Sequence, residues 1–126
     1  MYLIDTDILI WVLRGNKKYE DFLQNLKYRD SLSISTITIA EIYKNIYPSE
    51  MVKTENVFNE FQTWDVTPTI AKQAGLYWQE HIKKLKNLSL TDCLIAGTAN
   101  MNNLILVSLN TKHFPMKDIQ ILSPLK

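Results

Sequence analysis

The sequence predicts an α/β fold, a three-layer α/β/α sandwich around a central, mostly parallel sheet. Short apolar runs that read as strands alternate with segments of helical periodicity, the order that builds a parallel sheet. The alternation implies helices on both faces of that sheet, and the segment from Thr91 to Met101, apolar almost all round, should be a buried helix. The 126 residues, 46% of them hydrophobic, suffice for one domain that buries roughly two thirds of its unfolded surface.

Tyr2 to Ile4 is a short apolar run followed by Asp-Thr and the apolar stretch Ile8 to Leu13, a strand and then a helix. Tyr19, Phe22, Leu23 and Leu26 recur at i, i+3, i+4 and i+7 among charged residues, the stripe of a half-exposed helix. From Ser31 to Ser35 Leu and Ile alternate with serine, which suits a second strand. From Thr36 the spacing turns helical, with Ile39, Ile42, Tyr43 and Ile46 on one side, until Pro48 stops it. Val57, Phe58, Phe61 and Trp64 predict a further helix. Thr67 before Pro68 is a capping hydroxyl ahead of a first-turn proline, and a stripe runs on through Ala71, Ala74, Trp78, Ile82 and Leu85. After the buried helix Thr91 to Met101, Leu104 to Val107 and Ile119 to Leu122 read as late strands. Without a repeat, low-complexity tract or Gly/Ser linker, residues 1–126 are expected to form a single domain.

Composition narrows the function. A net charge of +1 lacks the basic excess of a bulk nucleic-acid binder, so any RNA contact must be local. The longest apolar run, Ile8 to Leu13, falls far short of the ~20 residues that cross a bilayer. The first residues also lack the basic segment of a secretory signal. One cysteine, Cys93, excludes an internal disulfide and makes a cytoplasmic location the expectation. Neither His81 nor His113 has a partner at zinc-ligand spacing. His81 lies beside Glu80 and three lysines on what reads as a solvated face, while Trp11, Trp64, Trp78 and Cys93 read as core.

The most informative feature is where charge is missing. Residues 1–13, 31–43 and 87–111 hold four charged side chains, Asp5, Asp7, Glu41 and Asp92, and none of the 14 Lys and Arg. An ionised carboxylate in apolar surroundings needs a cation, a metal or a proton, and no local cation is on offer. Asp5 directly follows the first strand, and residues just beyond the C-terminal ends of parallel strands lie along the edge where open α/β sheets bind ligands. Asp92 opens the buried helix, and Glu41 lies about a turn and a half into the helix after the second strand. Acids converging without basic partners suit Mg²⁺ or Mn²⁺, hard ions that prefer carboxylate and water oxygens.

Blander readings stand beside this one. Ser89-Leu-Thr-Asp92 fits a capping box, a role compatible with metal binding. Glu41 could lie on a solvated helix face paired with Lys44, and Asp5 and Asp7 could serve a turn and the first turn of a helix, where acids favour the positive dipole end.

Four segments resemble, in order and at the family's spacing, the motifs of PIN domains, in particular the VapC-like toxins of bacterial toxin–antitoxin pairs. They are Tyr2-Leu-Ile-Asp5-Thr-Asp-Ile-Leu-Ile10, Ser35-Thr-Ile-Thr-Ile-Ala-Glu41-Ile-Tyr, Leu90-Thr-Asp92-Cys-Leu-Ile-Ala-Gly-Thr-Ala99 and Leu106-Val-Ser-Leu-Asn110-Thr-Lys-His-Phe114. The resemblance spans essentially the whole chain. It departs from the pattern at Asp7, where Asn or Ser is common, and at Asn110, where many relatives carry a fourth acid and this chain offers a carbonyl oxygen.

The resemblance implies a PIN-like fold and a Mg²⁺- or Mn²⁺-dependent endoribonuclease with Asp5, Glu41, Asp92 and Asn110 at its centre. Asp5 and Asp92 hold the ion, and Glu41 holds it through water or positions the attacking water. It further implies a homodimer and a cognate antitoxin. Lysines 17, 18, 83, 84, 86 or 112 are candidates to follow an RNA backbone. Two other readings remain at this stage. Asp5-Thr-Asp7 after an apolar strand also resembles the first motif of haloacid-dehalogenase-like phosphatases, with Asp5 as nucleophile, although that family's late paired acids are absent after Val107. Asn110 would also suit a degenerate PIN domain that only binds partners.

Overall fold

A computed structural model describes residues 1–124. Five parallel strands, β1 (Tyr2–Ile4), β2 (Leu32–Ser35), β3 (Gln62–Trp64), β4 (Ile105–Val107) and β5 (Gln120–Leu122), form one sheet in the order β3-β2-β1-β4-β5. Six helices connect them: α1 (Thr6–Leu13), α2 (Lys17–Arg29), α3 (Thr36–Tyr43), α4 (Met51–Phe58), α5 (Pro68–His81) and α6 (Leu90–Met101).

This order explains the three layers. The chain steps outward from β1 to β2 to β3, then returns across the sheet to place β4 on the other side of β1. Right-handed crossovers running in opposite directions put their helices on opposite faces. Accordingly Tyr2, Ile4, Leu32, Ile34 and Val107 pack with α1 to α4 in one core. Leu3 and Leu106, pointing the other way, pack with α5 and α6 in a second core. The reversal point lies between β1 and β4, and the crevice beyond their C-terminal ends is where such sheets bind ligands.

Several expectations need correction. Phe61 and Trp64 do not continue a helix: α4 ends at Phe58 and Gln62–Trp64 is the edge strand β3, whose exposed Gln62 and Thr63 leave no apolar run to read. Trp11 and Trp78 are not core, being 41% and 40% exposed. The short α1 turns Ile8 and Leu9 inward, which leaves Trp11 outside against Tyr19 and beneath the Arg14 guanidinium. The His81 side chain is only 15% exposed, not on a solvated face, and α5 ends there, although Ile82 and Leu85 still pack on the second core. Cys93 is fully buried, as expected. The serines of β2 are buried too: Ser33 donates to the Tyr2 carbonyl at 2.7 Å, and Ser35 caps α3 by accepting from the Ile37 N–H at 3.1 Å. No helix among the described residues is long and apolar enough to cross a membrane.

Helix α6, which carries Asp92, is set against α5 at Gly97. A Cβ built there would stand 3.2 Å from the Ile70 carbonyl oxygen and 3.5 Å from Ile70 Cγ2. Gly75, by contrast, faces open space. Gly97→Val is expected to lower stability by roughly 1–3 kcal/mol through overpacking. Gly75→Ala should raise it by up to about 1 kcal/mol through helix propensity. Urea unfolding of the two variants measures both, and equal effects would show that the close approach at Gly97 is not limiting.

Candidate active site

The chain leaves β1 at Ile4 and enters α1 at Thr6, so Asp5 is the N-cap of α1. Its Oδ1 accepts from the Thr6 N–H at 2.9 Å and its Oδ2 accepts from the Ser108 hydroxyl at 2.7 Å. Its own N–H donates to the Val107 carbonyl at 2.9 Å, which ties the ends of β1 and β4 together across the reversal point. Asp5 is 6% exposed.

Asp7, in the first turn of α1, faces the same loop. Its Oδ2 accepts from the Leu109 N–H at 3.2 Å and from Asn110 Nδ2 at 3.0 Å, with Ser108 Oγ at 3.5 Å. Its Oδ1 is buried and has no hydrogen-bond partner. From the neighbouring strand, β2 delivers α3, and Glu41 Oε1 accepts from the Thr6 hydroxyl at 2.7 Å, beside buried Thr38 at 3.2 Å from Thr6 Oγ1. Asp92 enters from the opposite face of the sheet on α6, whose N-cap Ser89 accepts from the Asp92 N–H at 3.0 Å. His113 Nδ1 stands 3.7 Å from Asp92 Oδ2.

The electrostatics follow from burial without cations. Burial raises the Asp5 carboxyl from 3.8 to about 7, helped by repulsion from Asp7 and more weakly from Asp92 and opposed by the Ser108 and Thr6 hydrogen bonds. Burial also raises Asp7 and Asp92, with Asp92 repelling Asp7 and His113 opposing the rise at Asp92. Among the described residues no Lys or Arg makes an ion pair with Asp5, Asp7, Glu41 or Asp92. The Lys44 pairing considered for Glu41 does not form, and Thr6 takes that place. A cleft of about 260 Å³ opens beside Glu41, lined by Ile10, Leu13 and Ile46 and by Arg14 and Lys53.

A hydrogen-bonded network joins Asp5 to Asn110 through Ser108, Asn110 to Asp7 directly and Glu41 to Asp5 through Thr6, while Asp92 is bonded to none of these residues and acts on Asp5 and Asp7 only by weak repulsion. Ser108, Thr6, Thr38 and His113 escaped the sequence reading, which followed charge. The dipeptide Asp5-Thr6 and the Ser108-Leu-Asn110 step after an apolar strand were the available signals.

The donor set of carboxylate, amide and hydroxyl oxygens, with one buried carboxylate oxygen unsatisfied, fits a hard divalent cation. Among the described residues no three Asp, Glu, His or Cys side chains stand close enough together to hold a metal ion, so Asp5, Glu41 and Asp92 would have to move together to share one.

An acid whose folded pKa is raised binds its proton more tightly folded than unfolded. Its favourable contribution is present at low pH and is lost as pH rises from the unfolded value of 3.8 through about 7. In EDTA the protein is therefore expected to lose roughly 4 kcal/mol between pH 4 and pH 7.5, and Asp5→Asn should flatten most of that slope. Chemical unfolding across this pH range measures it, and a slope unchanged in the variant would place the coupled proton elsewhere.

Comparison with known proteins gives the family. Residues 2–119 match the PIN domain family model. The chain is 33% identical over 116 residues to the ribonuclease VapC10 of Mycobacterium tuberculosis, covering 92% of this chain and 87% of that protein. It is 30% identical over 118 residues to the ribonuclease VapC2 of Haemophilus influenzae, covering 90% and 89%. Among solved structures it superposes on a chain of a toxin–antitoxin complex from Klebsiella pneumoniae with a TM-score of 0.80 and 26% identity, over 98% of both chains. Because the matched span contains every element that positions Asp5, Glu41, Asp92 and Asn110, the site and the sequence lead to one assignment, and the chain belongs to the PIN domain family.

Proposed function

We propose that this protein is the ribonuclease toxin of a toxin–antitoxin pair, a hydrolase of RNA phosphodiester bonds that depends on Mg²⁺ or Mn²⁺. The observation that carries the chemistry is a carboxylate cluster, centred on buried Asp5, that among the described residues no Lys or Arg neutralises. The relatives named as VapC ribonucleases supply the substrate class.

Asp5 and Asp92 would hold the ion, reaching it from opposite faces of the sheet. When bound, such an ion lowers the pKa of coordinated water and stabilises charge on the phosphate oxygens. Thr6 fixes Oε1 of Glu41, which leaves Oε2 to accept from the attacking water and orient it. Ser108 and the Thr6 N–H keep the Asp5 carboxylate aimed, so little reorganisation is needed as charge develops. Asn110 lies exposed at the mouth of the site, where its amide is held by Asp7. Arg14 and Lys53, rather than the lysines singled out in the sequence, are the cations that line the cleft beside Glu41 and would bind phosphates flanking the scissile bond. The Klebsiella neighbour occurs in a toxin–antitoxin complex, which supports a cognate antitoxin that covers this site. A homodimer and a cytoplasmic location belong to the same proposal. The relatives named as ribonucleases favour the nuclease over the phosphatase and over the binding-only reading that Asn110 would also suit.

Incubation of total RNA with the protein and Mn²⁺ should give cleavage that EDTA abolishes and that Asp5→Asn, Asp92→Asn and Glu41→Gln each reduce by roughly 100-fold or more. Cleavage that survives in all three variants would exclude this site. Binding of single-stranded RNA to the Asp5→Asn protein should weaken with salt, and adding Arg14→Gln should reduce the slope by about 0.7, the share of a single phosphate. Fluorescence anisotropy at several salt concentrations reads that slope, and an unaltered value would remove Arg14 from the RNA path.

A further inference from the structure

Asp7 poses a problem that the three acids of the proposed mechanism leave unsolved. Its two oxygens differ sharply. Oδ2 takes the Leu109 N–H and the Asn110 amide, donors from the loop that follows β4. Those bonds hold Oδ2, and Oδ1 is left buried without a hydrogen bond of normal geometry. The nearby Ile8 N–H favours the charged form of Asp7 but makes no hydrogen bond of normal geometry to Oδ1. A desolvated carboxylate oxygen without a partner costs on the order of 1–3 kcal/mol. The chain could have avoided that cost with a smaller or neutral side chain in the same turn. The charged groups with which Asp7 interacts are themselves Asp5 and Asp92, so no protein cation relieves it.

We infer that Asp7 is a fourth carboxylate of the ion-binding site, its Oδ1 kept free for a divalent cation, and that Asn110 is a positioning residue that orients Asp7 through Oδ2. This assignment rests on the proposed metal dependence and extends it to a residue outside the set Asp5, Glu41 and Asp92. The division of labour follows from the contacts. Asn110 donates its Nδ2 to Asp7 and its backbone N–H to Ser108, while Ser108 donates to Asp5. One short loop therefore aims two carboxylates, Asp5 through Ser108 and Asp7 through Asn110 and Leu109. The site then offers four acidic groups, with the neutral Asn110 serving as a hydrogen-bond donor rather than as a charge.

Calorimetric titration of the RNA-free protein with MnCl₂ tests this without reference to cleavage. Asp7→Asn keeps an oxygen able to accept from Leu109, so the variant should fold, and its melting temperature in EDTA at pH 8 should equal or exceed that of the wild type. Its Mn²⁺ affinity should fall by about tenfold or more, and the Mn²⁺-induced stabilisation should shrink by about 1.4 kcal/mol per tenfold. Asn110→Ala should weaken Mn²⁺ binding by a smaller factor, because the ligand remains and only its aim is lost. Unchanged Mn²⁺ affinity in Asp7→Asn, with wild-type melting behaviour, would overturn the inference and reduce Asp7 to a strap between α1 and the loop. Should Asp5→Asn bind Mn²⁺ normally while Asp7→Asn does not, the assignment of Asp5 would fail and that of Asp7 would stand. A wild-type protein that binds no Mn²⁺ would overturn both.

Discussion

The structure depends on a repulsion. Three aspartates and a glutamate lie at the C-terminal edge of a parallel sheet, and burial without a lysine or arginine partner raises the proton affinity of the three aspartates, with only His113 opposing it at Asp92. Such a cluster opposes folding, and everything around it holds it together. Asp5 is clamped by a backbone N–H and a serine hydroxyl, Asp7 by the loop after β4, and Glu41 by Thr6. At Asp5 and Asp7 these bonds are donated to carboxylate oxygens and so favour the ionised forms, in part offsetting the desolvation that opposes them.

Topology makes the gathering possible. Asp5 and Glu41 arrive from the face carrying α1 to α4, and Asp92 arrives from the face carrying α5 and α6. Only at the reversal between β1 and β4 can the ends of elements from both layers share one crevice. The close packing of α6 on α5 at Gly97 is part of the same device, since it fixes the helix that brings Asp92 in. The packing of α6 on α5 thus bears on where Asp92 stands relative to the other acids.

Much of this was legible in the sequence because charge placement is local and costly. Asp5, Glu41 and Asp92 stood out where no Lys or Arg occurs, and the apolar runs on either side located β1, β4 and α6. What escaped was set by contacts across the fold. The edge strand β3 is held by pairing to β2 and shows no apolar face of its own, so Trp64 together with the preceding Phe61 mimicked a helix stripe. Exposure of Trp11 and Trp78 depends on which side of each helix meets the sheet, and the size and hydrophobicity of tryptophan outweighed that in the reading. Asp7 and Ser108 lie 101 residues apart in the chain, and no local pattern announces that they meet.

The same repulsion separates two reasons why a residue can be present. A group kept for stability is one whose removal weakens the fold, and Ser33 or Leu3, buried and satisfied, are of that kind. The acids at the sheet edge have the opposite property. Without a cation their ionised forms cost stability, so the folded chain without metal tolerates them rather than needs them. A ligand that binds only the folded state returns that free energy, and the return grows with the negative potential that the cluster maintains. A site of this kind is therefore explained by what it binds and not by the fold that carries it. That asymmetry is also why the bland readings, helix cap and solvated face, fit Asp92 and Glu41 one at a time but cannot account for the acids together.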